Sequence, residues 1–527
     1  MNSRRPKVTA LTVDGRRYPV RYKVINANSL RIDTQDTARI KLTVIPGPDP
    51  EDGWWYKFGQ HATRIAMSVR NFSFTYKNTY AMTLPGFRPE VGDMFGQKKH
   101  GGFLAPGMDF AFGFTGDGYI DRALQNDWLI CNDSVVSPAS SNALEDLQLR
   151  ISLEPIRDLK IDLTANRTRN RSREIQYMFE GMPDTRSGNF SMSIISIGSA
   201  FERPSAGDGY HSGTFERFRR NLDVIRDRVE SQFLGAQYPQ GSILAGKTFD
   251  PANGTISKHS PDVMIPAFLA AYTGKSARNS ALDFFPSLFS MMPNWRITYT
   301  GLTKIAWFKK NFRSVNLNHA YRSTYSVGSY NTFQSFMSYM GDIGFVEDVQ
   351  SGNPIPSSRF DISMVSINEQ FSPLIGMDAT LKNGLTAKVE YKTSRILNLS
   401  MSACQLVETA SRDFVIGLGY KIVNFNLFSG RNVKDSKNRV SHDLALRADI
   451  SFRNQSALCR DIQQGFAQAT NGNKALKISC SADYTLSRLL TLRLYYDRQQ
   501  NTPLVSSSSY PVVSADFGFS MKFSLTR

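Results

Sequence analysis

The sequence predicts an all-β fold: an antiparallel transmembrane β-barrel wall with long loops and a partly helical insertion. Three observations predict it. Hydrophobic alternation of period two recurs along most of the chain, and successive side chains of a strand point to opposite faces. No run of about 18 apolar residues occurs, so no membrane helix is expected, whereas a barrel spreads its apolar residues over every second position. The last stretch sets Ala515, Phe517, Phe519, Met521, Phe523 and Leu525 against Asp516, Gly518, Ser520, Lys522, Ser524 and Thr526. One oily and one small polar face is the lipid-out, lumen-in pattern of such a wall. A strand of a soluble sandwich would read the same way, so the rest of the chain has to decide.

Bulk properties agree with a wall. The chain has 527 residues, of which 41% are hydrophobic and 12% aromatic, with 35 Phe and 21 Tyr. The mean hydropathy is −0.32. Aromatic girdles at two membrane interfaces use many such rings. The net charge is +17, but many basic residues alternate with apolar ones, as at Arg21 and Lys23 or Lys388 and Lys392. That arrangement fits a wet lumen wall, or loops meeting lipopolysaccharide phosphates, better than a nucleic-acid patch. Cys131, Cys404, Cys459 and Cys480 lack metal spacing and form no CxxC. Cys459 and Cys480 are expected to flank one loop, either as two thiols or as a pair under oxidising conditions. Met1 to Lys7 has no apolar core of a signal peptide.

Taken in order, residues 8 to 24 predict a hairpin about Asp14-Gly15, weakened at Pro19. Ile40 to Val44 fits a strand. Pro46 to Pro50 breaks the chain ahead of Trp54-Trp55-Tyr56, and His61 to Lys77 is strand-like. Residues 84 to 118 are rich in Gly and Pro and predict a shaped loop. Asp109 to Thr115 fits a strand with Phe110, Phe112 and Phe114 on one side, and Gly116 to Asn142 a loop. Leu147 to Leu153 and Leu159 to Ala165 predict a hairpin. Shorter strands fit 174 to 179 and 190 to 195.

The period then changes. Phe215, Phe218, Leu222, Ile225, Val229 and Phe233 recur at three or four residues, one face of an amphipathic helix. Apolar segments from Pro261 to Tyr272 and Ala281 to Met292 carry Pro266 and Pro286, which are expected to interrupt them. This predicts three parts: strands with a Gly/Pro-rich loop over 1–197, an insertion that caps or lines something over 198–293, and further strands over 294–527.

Strands resume at Trp295 to Tyr299 and Val315 to Tyr321, followed by a Ser, Tyr and Phe-rich loop. The Asn383-Gly384 turn joins Ile375–Leu381 to Leu385–Tyr391. Further strands fit 397–401, 414–420, 444–452, 476–484, 490–496 and the terminal stretch. Tyr391 to Leu399 matches Tyr484 to Leu492, each reading as strand, tight Ser-Arg turn, strand. Longer polar loops such as 453–473 are expected between them. Short turns alternating with long loops would make an up-and-down barrel, with the tight turns on the periplasmic side. The total is roughly 16 to 20 strands.

No Walker loop, HExxH or GxSxG occurs, and the six His are scattered. His319 reads as a lumen or girdle residue, and Asp109, Asp378 and Asp516 as polar wall. The reading is therefore not an enzyme, with no cofactor or metal.

Tyr80 to Gln97, Y-A-M-T-L-P-G-F-R-P-E-V-G-D-M-F-G-Q, resembles the SprA/Sov family of Bacteroidota, tied to gliding motility and type IX secretion. Leu84, Pro85, Gly86 and Phe87 form the centre of that motif. Ala105 to Phe114, Ser260 to Tyr272, Pro293 to Gly301 and the terminal strand with Phe517, Phe519 and Phe523 agree, in the same order. The resemblance covers most of the chain and corresponds to the family's C-terminal part. It implies an outer-membrane translocon, a single-chain barrel through which folded cargo proteins leave the cell. It also implies a PorV-type outer-membrane partner that collects cargo and a plug protein at the periplasmic end. Because the chain is shorter than the family, it is expected to be a fragment or one piece of a split gene, supplying part of the wall. The insertion would then shape or gate the conduit. A TonB-dependent-type receptor barrel and a secreted β-rich adhesin are the rival readings. The first would need an N-terminal plug domain and an energy-coupling box.

Overall fold

The computed structural model describes residues 7–26, 29–33, 39–45, 67–90, 92, 95–116, 118–179, 184–202, 204–423, 425, 443–486, 489–505 and 510–524. Pro46 to Tyr56, the start of the 61–77 stretch, Ser487-Arg488 and Leu525 to Arg527 lie outside the described residues. The chain divides into two compact units, residues 1–70 with 153–157, and residues 71–152 with 158–527.

In the first unit, β1 (Lys7–Thr12), β2 (Arg17–Tyr18) and β5 (Ile40–Ile45) form one sheet, while β3 (Arg21–Asn26) and β4 (Ser29–Asp33) form a hairpin. The Asp14-Gly15 turn is present, with Gly15 at φ 78° and Ala10 opposite Tyr18. The expected single strand after it is cut between β2 and β3, because Pro19 has no amide hydrogen to give to a ladder.

The second unit is dominated by one 14-stranded sheet. In chain order it contains β6 (Val69–Thr83), β9 (Ala139–Ile156), β10 (Leu159–Ile175), β11 (Asp184–Ser193), β12 (Asn294–Tyr299), β13 (Phe312–Thr332) and β17 (Phe360–Ile362). It continues with β18 (Met364–Leu381), β19 (Leu385–Ser400), β20 (Gln405–Ile422), β21 (Leu444–Asp461), β22 (Ala467–Thr485), β23 (Leu490–Pro503) and β24 (Val512–Phe523). The spatial order runs β24-β23-β22-β21-β20-β19-β18-β13-β11-β10-β9-β6. From β18 to β24 each strand pairs antiparallel with the next. Two small hairpin-like sheets complete the unit, β7 (Lys98–His100) with β8 (Phe103–Ala105), and β14 (Met337–Met340), β15 (Ile343–Glu347) and β16 (Pro354–Ser358).

One lane of the sheet is shared by two strands. Between β10 and β13, β11 fills one half and β12 the other. Thr164 stands opposite Asn294 and Arg167 opposite Met192. The lane therefore runs down β11 to Ser193, leaves the sheet, and resumes at Asn294. The excursion between them is the predicted insertion. It holds the helices Gly213–Ser231 and Pro261–Thr273 and several short 3-10 turns. The predicted helical face is buried from Phe215 to Val229. Pro266 does not interrupt the second helix, because burial of Val263, Met264, Ile265 and Phe268 offsets the roughly 3 kcal/mol that an interior proline costs.

Several expectations are corrected. The sheet has fewer and longer strands than roughly 16 to 20, because neighbouring candidates fuse. Residues 397–401 continue β19, so Ser394 and Arg395 lie mid-strand with no turn, and Arg395 is opposite Glu369. Neither residue takes the positive φ of a tight two-residue turn, and both are paired to strands on either side. Residues 453–461 and 467–473 are strand, leaving only a short turn at 462–466. The Ser, Tyr and Phe-rich stretch after Tyr321 is the second half of β13. Antiparallel parity puts the long 423–443 connection at the same end as the short 382–384 and 486–489 connections, so long and short connections do not segregate by end. Asp109 lies in a short helix, Met108–Ala111, and not on a strand. Gly118–Gln125 is also helical.

Candidate functional site: a two-faced wall with a cover fixed to one face

The register defines both faces. On β19 Leu385, Ala387, Val389 and Tyr391 stand opposite Tyr420, Leu418, Ile416 and Phe414 of β20. Those meet Leu446, Ala448, Ile450 and Phe452 of β21, then Ala482, Cys480, Ile478 and Leu476 of β22. Leu494 and Tyr496 of β23 and Phe519 and Phe517 of β24 extend the same rows. Directly opposed residues share a face, so these side chains make one continuous apolar band. They are exposed or half-buried, with Ile450 at 45% and Phe519 at 59%. Four alternate positions span about 20 Å at ~3.4 Å per residue, close to the ~25 Å apolar band of outer-membrane barrels. A shallow apolar groove of about 320 Å³ lies in it, lined by Leu418, Tyr420, Leu446, Cys480, Leu494 and Phe517 among others.

The opposite face of the same segment is polar. Glu390 binds Lys388 at 3.1 Å and Lys392 at 2.9 Å. Arg453 binds Asp413 at 2.9 Å, and Asn318 donates to Asp378 at 2.9 Å. A polar cleft there is lined by Asn316, Asp378, Lys388, Arg447 and Asp449. Charges at every second position with a partner on the same or the next strand suit a wetted surface.

The strands run past the band. β19, β20 and β21 have 16, 18 and 18 residues, roughly two and a half to three times the band's height at ~3.4 Å per residue. On the band face, the second half of these strands carries the insertion. Leu397, Leu399, Leu406, Val365, Ile367, Tyr325 and Val327 join one core with Phe215, Phe218, Ile225, Val263, Phe268 and Tyr272. The insertion thus packs on the face that bears the apolar band, whereas the expected gate would sit on the polar one.

Between band and cover lies a buried polar seam. Glu369 pairs with Arg395 at 2.7 Å, and Glu408 with Arg460 at 3.2 Å. Arg395 also donates to the Ser199 carbonyl at 2.7 Å and hydroxyl at 2.8 Å. Arg460 donates to the Tyr210 carbonyl at 2.6 Å. Ser196 gives its hydroxyl to Glu369 at 2.7 Å, and Tyr321 does so at 2.8 Å. Each buried charge meets its opposite plus hydrogen bonds, the condition under which such pairs are tolerated. Each of these bonds ties a strand of the sheet to the cover or to its neighbour strand.

Two carboxylates inside the cover behave oppositely. Glu202 accepts from the hydroxyls of Ser212 and Thr214 at 2.5 Å and from the Thr214 amide at 3.0 Å, at the start of the Gly213–Ser231 helix. Burial pushes its pKa up, but those hydrogen bonds and Arg395 together bring it below the ordinary value. Asp262, in the first turn of the other helix, is fully buried, and burial raises its pKa despite bonds from Ser357 and Ser358.

The motif residues of the 80–97 stretch form a packed turn. The Gly86 carbonyl accepts from the Ile130 amide at 2.8 Å, and the Arg88 amide donates to the Trp128 carbonyl at 2.8 Å. Phe87 meets Trp128 edge to face at 6.4 Å. Leu84 and Phe87 pack on a small core with Tyr119, Ile120, Trp128, Ile175 and Tyr177, and Pro85 opens the turn. Phe517, Phe519 and Phe523 project from β24, the first strand of the sheet order, 72%, 59% and 60% exposed. The structure does not bring the two groups together.

His319 lies on the band face among aromatic rings, with Trp295 stacked on Tyr321 at 4.5 Å. Its Nδ1 is 2.6 Å from the Leu374 carbonyl and its Nε2 is 3.1 Å from Trp295 Nε1. A carbonyl needs a donor and an indole N–H an acceptor, so the ring is the neutral Nδ1–H tautomer. Cys459 is opposite Gln468 and Cys480 opposite Ala448, about 40 Å apart along the strands at ~3.4 Å per residue. The two do not flank one loop and do not pair. Asp109 pairs with Arg122. Among the described residues no group of three or more His, Cys, Asp or Glu is placed to hold a metal.

Sequence reasoning missed the seam. The signal was phase: Glu369, Arg395 and Arg460 occupy the apolar phase of their strands, in register with Ile367, Leu397 and Leu458. No family model matches the chain, and no curated protein matches it.

Proposed function

We propose that the chain forms part of the wall of an outer-membrane conduit for folded cargo proteins, of the kind used in type IX secretion and gliding motility. The single observation that carries this is the apolar band, continuous over six neighbouring strands and backed by a polar face. An exposed apolar band about 20 Å tall, close to the ~25 Å band of outer-membrane barrels, is costly in water and favourable in lipid. The polar face would line a water-filled path for cargo, and transport along it requires no catalysis. The type IX assignment rests on the sequence motifs, as do the PorV-type and plug-protein partners.

With the cover on the band face, its role becomes fixing the wall's outer side beyond the membrane, not closing the path. Single cysteines placed in turn at Leu418 and Ser451, in a background without Cys131, Cys404, Cys459 and Cys480, test the reading. In isolated outer membranes, position 418 should resist a charged maleimide and position 451 should react. Equal reactivity would refute a lipid-facing band. Release of the protein by carbonate washing would favour the soluble adhesin, and an energy-coupling box with a plug domain encoded in the same gene would favour a receptor barrel.

A further inference from the structure

The cover has an apolar underside that its own core does not use. No charged residue stands between Asp283 and Arg296, and within that stretch Leu288–Ser290 is a single 3-10 turn. Phe289 on the turn is 95% exposed, and Leu288 and Met292 are exposed beside it. One exposed apolar side chain is ordinary, but a charge-free cluster of them forms a patch. The turn is held in place. The Met292 amide donates to the Ser193 carbonyl at 3.1 Å, and the Ser290 amide to the Ser287 carbonyl at 2.9 Å. An apolar groove of about 160 Å³ adjoins it, lined by Met192, Ile194, Leu269, Ala270 and Met292 among others. Lys275 and Asp283 also line the groove, so their charges offset and the groove selects for apolar matter. An apolar cavity of roughly that size takes one benzene-sized molecule, about six carbons.

The position of this underside points to what covers it. Ser193 and Asn294 mark the level at which the lane leaves the sheet. From there toward the band, Trp295, Ile297 and Tyr299 of β12 stand opposite Leu163, Ile161 and Leu159 of β10 and opposite Tyr321, His319 and Leu317 of β13. Leu317 is opposite Met377, and Met377 is opposite Val389 of the band. Opposed residues share a face, so the band's own face runs up to the turn. On β10 that phase is apolar from Leu159 to Ala165 and changes to Arg167 beyond the break. The last row before the break is aromatic. Trp295 stacks on Tyr321 at 4.5 Å, Tyr321 meets Phe371 at 4.8 Å, and Phe371 meets the exposed Phe201 at 5.4 Å. Aromatic rows along the edge of an apolar band mark the headgroup level of outer-membrane walls.

We infer that the underside of the cover docks on the lipid leaflet at this edge of the band. Leu288, Phe289 and Met292 enter the boundary between headgroups and acyl chains, and the groove beside them seats the end of one acyl chain. The inference rests on the proposed membrane reading and adds to it that the insertion touches lipid as well as the sheet.

The full-length chain, without Cys131, Cys404, Cys459 and Cys480, carries one substitution at a time: Phe289→Cys, Ala281→Cys in the groove, Leu418→Cys in the band, or Arg220→Cys on the exposed helix face. Each is labelled with an environment-sensitive fluorophore and reconstituted into phosphatidylcholine vesicles. The acyl chains bear a nitroxide either near the headgroup or near the chain end. Quenching at 289 and 281 should exceed that at 220 by about threefold and be stronger from the shallow nitroxide than from the deep one. Quenching at 418 with none at 289 would overturn the inference. A blue-shifted but unquenched label at 289 would mean that protein covers the turn, a partner or a second copy, and would overturn it too. Quenching at 289 with none at 281 would overturn the acyl seat. No quenching at 418 would overturn the membrane reading, and this inference with it.

Discussion

Asn294 Nδ2 donates to Ser193 Oγ at 3.2 Å, across 101 positions of chain. The two side chains close the gap where one lane of the wall leaves the sheet and returns. Ser193 Oγ also accepts from the Asn166 amide at 3.0 Å, and Asn294 Oδ1 accepts from the Ser323 amide at 2.7 Å. Asn294→Ala would strand the buried Ser323 amide, at a cost of about 1–3 kcal/mol. Asn294→Asp would keep that acceptor but lose the donor to Ser193. The thermal midpoint should fall more for Ala than for a second-site control such as Asn311→Ala, and an equal fall would deny the clasp its role.

Removing either partner of Glu369 and Arg395 should be among the most damaging single changes. Arg395→Ala leaves a buried carboxylate unpaired and frees Ser199, which costs about 3–5 kcal/mol. Replacing both residues together by Leu and Met should cost far less. Hydrogen exchange over 196–210 reports whether the cover lifts. A double variant as unstable as the single would contradict this account.

Acid should act in opposite directions on the two cover helices. The pKa of Glu202 is lower folded than unfolded, so its contribution is present above its ordinary value of 4.5 and is lost as pH falls through the folded value. That of Asp262 is raised, so its penalty disappears as pH falls from the raised value toward 3.8. Amide protection should drop at Thr214 and Phe215 on acidification and hold or rise at Met264 and Ile265. Glu202→Gln should flatten the first response and leave the second.

Face matters more than residue type along the β18–β24 segment of the sheet. If the band faces lipid as proposed, Leu418→Arg places a charge in it and should cost about 2–4 kcal/mol of membrane stability. Ser451→Arg, on the polar face, should insert normally. Heat-modifiability on gels of membrane fractions distinguishes the two.

Gly86 holds a φ of 69°, and a Cβ there would lie 3.0 Å from the Ile130 carbonyl and 3.2 Å from Val135. Gly86→Ala should therefore cost at least about 1 kcal/mol and loosen the Phe87–Trp128 contact, visible as a red shift in Trp fluorescence. Gly101→Ala, at a positive φ but with nothing near its Cβ position, separates backbone strain from crowding.

Most strands were legible because alternation is local: Leu147 to Leu153 and Leu385 to Tyr391 need only their neighbours. The helix from Phe215 to Val229 was legible for the same reason at its own period. Strand lengths were not, because Ser, Thr, Asn and Arg on a wetted face look like loop residues until a partner strand is known. The Ser394-Arg395 turn failed because Arg395 is a charge in the apolar phase, buried against Glu369, and only the neighbouring strand shows that. The shared lane was not legible either, since nothing within either segment tells Ser193 that Asn294 is its continuation. Arg395 and Glu369 could have been found, as charges in an apolar phase, although phase alone does not name their partners.

The overhanging halves of the strands have a further consequence. Without the insertion packed on them, they would expose Leu397, Leu399 and Leu406. The insertion, residues 194–293, precedes β13 and β18–β20 in the chain. A polypeptide delivered from its N-terminus therefore presents the template before the strands that will be laid against it. Chain order thus places the surface that buries Leu397, Leu399 and Leu406 ahead of the strands that carry them, with β19–β24 following one antiparallel neighbour at a time.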